Sequence, residues 1–270
     1  MKESQLVELI DGALEVADSA SQKVLEIYHS EGLKFESKQD GSPVTEADIA
    51  SHQILNTGLV KLNNNIPILS EEGNDIPKKD ENLFWLIDPL DGTKEFINRN
   101  GEFTVNIALI EQGVPILGIV FAPAVEENFY GAINVGAFKI KGTERLNILP
   151  KKQKEDECLV TLSKSHKSKE DEWFIEECKK RFGFVREIPT GSSLKLCKVA
   201  EGKADIYSRL GSTYQWDIAA GQAVVESAGG VVNDLSGNPL SYKFDPLLKN
   251  PHFYCAGDKE FQWLELFKDN

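Results

Sequence analysis

The stretch that most limits how this chain can fold is Phe84-Trp85-Leu86-Ile87-Asp88-Pro89-Leu90-Asp91-Gly92-Thr93. Its first four residues are aromatic or aliphatic, unbroken by a polar side chain, and read as a buried strand ending at Asp88. Pro89 fixes its own φ and biases Asp88 towards an extended conformation. The chain can then turn sharply and present Asp88 and Asp91 to one point, with the Leu90 carbonyl beside them. Two carboxylates this close repel unless a cation lies between them, and hard cations such as Mg²⁺ take clustered oxygen ligands. Gly92-Thr93 then opens a short helix whose free N–H groups suit a phosphate oxygen. The same residues also suit an ordinary turn with Asx hydrogen bonds after a strand, and on the motif alone both readings stand.

Length and charge narrow the classes. With 270 residues the chain suits one large domain or two small ones and can bury a substantial core. A net charge of −13 argues against general nucleic-acid binding, which needs a basic face, while a small phosphorylated ligand remains compatible with local cations. No stretch approaches the length of a membrane span, and Met1 to Ser30 holds no cleavable apolar core. A cytosolic location is expected, with peripheral association with the inner membrane left open. Cys158, Cys178, Cys197 and Cys255 lack Cys-x-x-Cys spacing and read as buried free thiols, not as a zinc site.

From the N-terminus, apolar residues from Leu6 to Ile27 recur at three- and four-residue steps and predict a helix over Ser4 to Ser30. Lys38 to Pro43 is turn-rich. A second helix runs to about Leu62, with Thr45 as N-cap and Asp48 completing a capping box, a placement that also lets Asp48 reach into a site. Ile66 to Leu69 reads as a strand that runs into Ser70-Glu71-Glu72, a second carboxylate pair behind a second apolar run. As a lone feature such a pair is solvated surface. Strands over Phe103 to Ile110, Pro115 to Phe121 and Asn128 to Ile133 follow, with Gly136 to Ile140 as a further one. Two helices on a largely antiparallel sheet thus make up residues 1–150. The charged run from Pro150 to Glu157 marks the expected boundary, and residues 151–270 alternate strand and helix as an α/β layer. There Cys158 to Leu162 releases the loop Ser163-Lys164-Ser165-His166-Lys167. Gly191-Ser192-Ser193-Leu194-Lys195 lacks the ending of a nucleotide-triphosphate loop. Trp216-Asp217-Ile218-Ala219-Ala220-Gly221 opens a helix whose small residues let another element approach closely. Asp217 suits the helix dipole there and could equally be a further metal ligand. The last helix is expected from Asp258.

Taken together, Glu71-Glu72, Asp88-Pro-Leu-Asp91-Gly-Thr93 and Trp216-Asp217-Ile-Ala-Ala-Gly resemble the metal-dependent, lithium-inhibited phosphatase superfamily that includes inositol monophosphatase. Asp91-Gly-Thr-Lys-Glu-Phe, Asn100 to Leu109, Gly191 to Lys195 and Val199-Ala-Glu-Gly202 are similar to its branch of 3′(2′),5′-bisphosphate nucleotidases, of the bacterial CysQ type. A different phosphatase class, the haloacid dehalogenase type, uses a similar-looking Asp-x-Asp-Gly-Thr. Aligned on Asp91-Gly92-Thr93, it would put the nucleophile at Pro89, which cannot attack phosphorus.

The resemblance implies a layered αβαβα sandwich, combining an α+β N-terminal half and an α/β C-terminal half, with the site between them. It implies that Glu71, Asp88, the Leu90 carbonyl, Asp91 and Asp217 hold two or three Mg²⁺ ions around the phosphate, where such ions activate water and neutralise the reacting oxygens. Thr93, supported by Asp48, would orient or deprotonate that water, and the N–H groups of Gly92 and Thr93 would hold the phosphate. Ser163, His166, Gly191 and Lys195 would face the nucleoside and its second phosphate, with Arg209 as a further candidate. The implied reaction is removal of the 3′-phosphate of adenosine 3′,5′-bisphosphate, clearing a by-product of sulfate assimilation. An inositol or sugar phosphate phosphatase and a catalytically silent nucleotide-binding protein are the alternatives.

Overall fold

The computed structural model describes residues 1–32, 35–37, 43–73, 81–164, 167–243 and 248–268. Periodic apolar residues make α1 (Glu3–His29), which buries Leu6, Ile10, Ala13, Ala17, Ala20, Val24 and Ile27 along one stripe. After the short strands β1 (Phe35–Ser37) and β2 (Pro43–Thr45), Thr45 caps α2 (Glu46–Leu62). The Ala47 N–H donates to Thr45 Oγ1 at 3.1 Å, and Asp48 Oδ2 accepts the Thr45 N–H at 2.7 Å, closing the expected capping box. Of the turn-rich segment, residues 38–42 lie outside the described residues.

A seven-stranded sheet follows almost in chain order. β3 (Ile68–Ser70) pairs parallel with β4 (Leu83–Asp91). After the short α3 (Thr93–Ile97), the strands β5 (Thr104–Glu111), β6 (Val114–Ala122), β7 (Glu127–Ala132), β8 (Gly136–Lys141) and β9 (Glu144–Asn147) add on antiparallel. Successive residues of β4 serve opposite faces, as the strand period requires. Trp85 and Ile87 pack with α1 and α2, whereas Phe84 and Leu86 join the core on the other side.

The chain then builds a five-stranded sheet from β10 (Glu157–Ser163), β11 (Phe184–Thr190), β12 (Ile206–Arg209), β13 (Val231–Asp234) and β14 (Phe253–Ala256), ordered β11-β10-β12-β14-β13. The crossover helices are α4 (Lys169–Phe182), α5 (Leu194–Ala200) and α6 (Gln215–Ala228). Side chains of α5 and α6 share one core with Leu86, Ala108 and Val120 of the first sheet and with Tyr207, Phe253 and Cys255 of the second. α4 and a 3₁₀ turn at Trp263–Phe267 cover the outer face of the second sheet. The layers therefore run helix pair, sheet, helix pair, sheet, helix: the expected αβαβα sandwich.

The expected final helix from Asp258 is only this 3₁₀ turn, where the Asp258 carbonyl accepts the Trp263 indole N–H at 2.7 Å. All four cysteines are buried free thiols, as expected. Among the described residues no helix is long and apolar enough to cross a membrane.

The small residues of α6 do permit the anticipated close approach. A Cβ added at Gly118 of β6 would lie 2.1 Å from the Ala220 carbonyl oxygen, and one at Gly131 of β7 would lie 2.7 Å from Val224 Cα. At its far end an ionic cluster ties the sheet to α5. Lys139 Nζ lies 2.8 Å from Glu127 and 3.2 Å from Glu201, and Lys198 and Lys203 bind the same two carboxylates. Burial alone would raise the pKa of Glu127, but hydrogen bonds from Lys139 and Lys198 outweigh it and bring the value down to about 2.

In the last turn of α6, Glu226 accepts a 2.8 Å hydrogen bond from Gln222, whose own oxygen accepts from the Tyr242 hydroxyl. Burial lifts its pKa from 4.5 to about 7, with the Gln222 bond opposing. The folded state therefore keeps the proton between those values while the unfolded chain loses it, so stability falls as pH rises through that window. Glu226→Gln is expected to match wild type near pH 4 and to be more stable by about 1–3 kcal/mol at pH 8. Denaturant unfolding at both pH values checks this, and equal gains at both would refute the titration.

Candidate active site

The expected strand continues past Asp88 to Asp91, and the pairing of β4 with β5 shifts register between these two residues. This irregularity lets Asp88 and Asp91 share a side, because a regular strand would send residues three apart to opposite faces. The Leu90 N–H donates to Asp88 Oδ1 at 3.0 Å, so the Asx contact of an ordinary turn is present as well. Asp217 arrives from the first turn of α6, where its Oδ2 accepts the Tyr214 N–H at 2.8 Å. One carboxylate oxygen from each of Asp88, Asp91 and Asp217 lies within 4.8 Å of the others.

Such a cluster is electrostatically unfavourable by itself. Burial raises the pKa of Asp88 well above the carboxylate range, and repulsion from Glu71, Asp91 and Asp217 adds to it. Asp217 is raised likewise, first by burial and then by Asp91. Glu71 stands just past β3, and its N–H donates to the Ile87 carbonyl at 3.2 Å, which fixes it alongside β4. Hard oxygen donors gathered this closely, with the carboxyls of Asp88 and Asp217 both raised, fit a divalent cation, which would remove the repulsion.

Gly92 follows with φ +87°, and a Cβ there would crowd Glu95, Phe103 and Ser192, so glycine answers both the backbone and the space. Thr93 begins α3. Its Oγ1 donates to Asp48 Oδ1 at 3.2 Å and lies 3.4 Å from the Leu90 carbonyl. The cap and the site-facing reading of Asp48 thus use different oxygens of one carboxylate, Oδ2 for Thr45 and Oδ1 for Thr93.

A cleft of about 170 Å³ opens beside Asp91 and Asp217, lined also by Ser163, Lys195, Tyr207 and Arg209. Larger grooves of about 500 and 560 Å³ run along α1 and α2, away from the converging carboxylates. Lys195 is 8 % exposed and donates to the Ser192 carbonyl at 2.7 Å, its ammonium 5.4 Å from the Tyr207 ring. Burial lowers its pKa, with Asp91 opposing. The Gly191 N–H is engaged by Glu102 Oε2 at 2.7 Å, and Glu102 also pairs with Lys164 at 2.9 Å. His166 lies outside the described residues.

Sequence reasoning passed over four residues around Asp91: Thr104, Asn106, Ser192 and Ser193. All lie within stretches quoted for the resemblance, but their hydrogen bonds join segments about ninety to a hundred residues apart, and nothing local announces them.

Two mixed sheets alternating with helices, with carboxylates from both halves meeting over β4 and the start of α6, define a layered α/β sandwich with a convergent acidic centre. The inositol monophosphatase family model matches residues 5–262, and the chain belongs to that family. It is 42% identical over 250 residues to the 3′(2′),5′-bisphosphate nucleotidase CysQ of Salmonella typhimurium LT2, covering 91% of this chain and 98% of the relative. The crystal structure of CysQ from Bacteroides thetaiotaomicron superposes with a TM-score of 0.80 at 36% identity, over 94% of this chain and 97% of that one. Inositol monophosphatase from Anabaena shares the fold, with a TM-score of 0.77 at 24% identity over 98% and 96% of the two chains.

Proposed function

We propose that the protein is a Mg²⁺-dependent 3′(2′),5′-bisphosphate nucleotidase that hydrolyses adenosine 3′,5′-bisphosphate to AMP and phosphate, in sulfur assimilation. The observation that carries this reading is the meeting of Asp88, Asp91 and Asp217 beside the hydrogen-bonded pair Thr93–Asp48. The 42% identical relatives that bear this activity in their name support the choice of substrate.

Glu71, Asp88, the Leu90 carbonyl, Asp91 and Asp217 would hold two or three cations. When bound, such ions neutralise phosphoryl oxygens and make water acidic enough to attack at neutral pH. The chain's own groups do the rest. Asp48 accepts the Thr93 hydroxyl proton, which leaves the lone pairs of Oγ1 to accept a hydrogen from the attacking water. The N–H groups of Gly92 and Thr93 orient the phosphate. Lys195 and Arg209 put positive charge on the cleft wall, where a second phosphate of the substrate would dock in an otherwise acidic protein. Ser163 lines the same wall for the nucleoside. His166, three residues further along the sequence, is assigned there by the resemblance.

The test is phosphate release from adenosine 3′,5′-bisphosphate, inositol 1-phosphate and fructose 1,6-bisphosphate side by side, with Mg²⁺ and then with added lithium. Preference for the nucleotide, abolished by lithium, is expected. Preference for inositol 1-phosphate would keep the acidic centre and overturn the substrate, and no turnover of any of the three would leave a nucleotide-binding protein.

A further inference from the structure

Thr104 and Asn106 stand two residues apart on β5, so both side chains leave the face of the sheet that also carries Ala108 and Ile110, towards α5 and α6. There they meet Ser192 and Ser193, from the loop before α5. Thr104 Oγ1 lies 2.6 Å from Ser192 Oγ, and Asn106 Nδ2 donates to Ser193 Oγ at 2.9 Å. Both serines point on to Asp91. Ser192 Oγ lies 2.5 Å from Asp91 Oδ2, and Ser193 Oγ lies 2.9 Å from the same oxygen and 2.7 Å from the Asp217 carbonyl.

Counting protons gives the network a direction. A carboxylate only accepts, so the single Ser192 proton goes to Asp91, and the proton between Thr104 and Ser192 must come from Thr104. The Asn106 amide fills an acceptor site on Ser193, whose one proton serves Asp91 Oδ2 or the Asp217 carbonyl. None of the four residues is more than 9 % exposed, so water competes little for these bonds. Two further observations speak against simple packing. Ser192 holds φ +53°, a left-handed conformation that favours glycine, and it is this loop geometry that brings its hydroxyl to Asp91. Asn106 Oδ1 is buried with no partner among the described residues, so the amide is not there to satisfy itself, and what it does is donate to Ser193.

We propose that Thr104 and Asn106, acting through Ser192 and Ser193, are positioning residues that pin Oδ2 of Asp91 and leave its other oxygen aimed at the cation. The inference rests on the cation-dependent reading given above. Groups that orient a metal ligand from behind commonly govern affinity almost as strongly as the ligand itself.

The test is Mn²⁺ binding to the substrate-free protein, read from the electron paramagnetic resonance signal of the free ion, with thermal melting to establish folding. Thr104→Val keeps the volume and removes the donor, Thr104→Ser keeps the donor, and Ser193→Ala cuts the second branch. Thr104→Val and Ser193→Ala are each expected to weaken Mn²⁺ binding by about tenfold, with Thr104→Ser within about twofold of wild type. Wild-type affinity in folded Thr104→Val and Ser193→Ala proteins would overturn the proposal and leave the cation centre standing. Absence of Mn²⁺ binding by the wild type would instead overturn the cation centre, and this inference with it.

Discussion

Replacing Asp91 by asparagine is expected to cut turnover by at least about a thousandfold, a loss of roughly 4 kcal/mol in transition-state stabilisation, while the protein stays folded. The substitution barely changes volume. Its damage follows from the hydroxyls behind the side chain. Ser192 donates to Oδ2 and Ser193 shares its one proton between Oδ2 and the Asp217 carbonyl, so an amide at this position turns its oxygen towards these hydroxyls and its NH₂ towards the other acids. A donor then faces the cation where a charged acceptor stood. Without cations the same change relieves repulsion on Asp88 and Asp217, both of which Asp91 pushes upward, so the metal-free variant should melt at or above the wild-type temperature. Phosphate-release kinetics paired with thermal melting make the check, and wild-type rates in a folded variant would remove Asp91 from the mechanism.

The largest effect on stability is expected at Gly118. Even alanine there would place a Cβ 2.1 Å from the Ala220 carbonyl oxygen and 2.7 Å from Ala223 Cβ. Neither atom is the end of a flexible side chain, so α6 would have to move off the sheet, and Asp217 would move with it. Gly118→Ala should cost about 3–5 kcal/mol and Gly118→Val more, measured by urea unfolding. A loss under about 1 kcal/mol would mean that α6 shifts freely on the sheet.

These two positions show what the sequence discloses and what it hides. Asp88, Asp91 and Thr93 were legible because their arrangement follows from a few consecutive residues: an apolar strand, a proline, a glycine. Asp48 was legible as a cap for the same reason, and its second oxygen reaching Thr93 is compatible with that local geometry. The small residues of α6 announced a close neighbour without saying that it would be Gly118. The pairing of Thr104 and Asn106 with Ser192 and Ser193 was hidden, because it depends on which face of β5 meets which loop across two layers. Equally hidden was the partner of the Gly191 N–H, which is engaged by Glu102, a carboxylate 89 residues away in the chain. The expected C-terminal helix shrank to one turn because aromatic packing of Phe261, Trp263 and Phe267 against α4 and β14 took precedence over helical propensity.

The order of the layers along the chain also bears on how the protein is made. All seven strands of the first sheet are complete by Asn147, and α1 and α2, which cover one face, precede them. The helices that cover the other face end only at Ala228. At about 5–20 residues per second a ribosome needs roughly 4–16 s to supply that interval, during which the cover that its own chain gives the face carrying Leu86, Ala108 and Val120 is incomplete. The nascent protein is therefore most exposed to sticking to its neighbours midway through synthesis, and the acidic centre is completed only when Asp217 emerges to join a sheet made long before it.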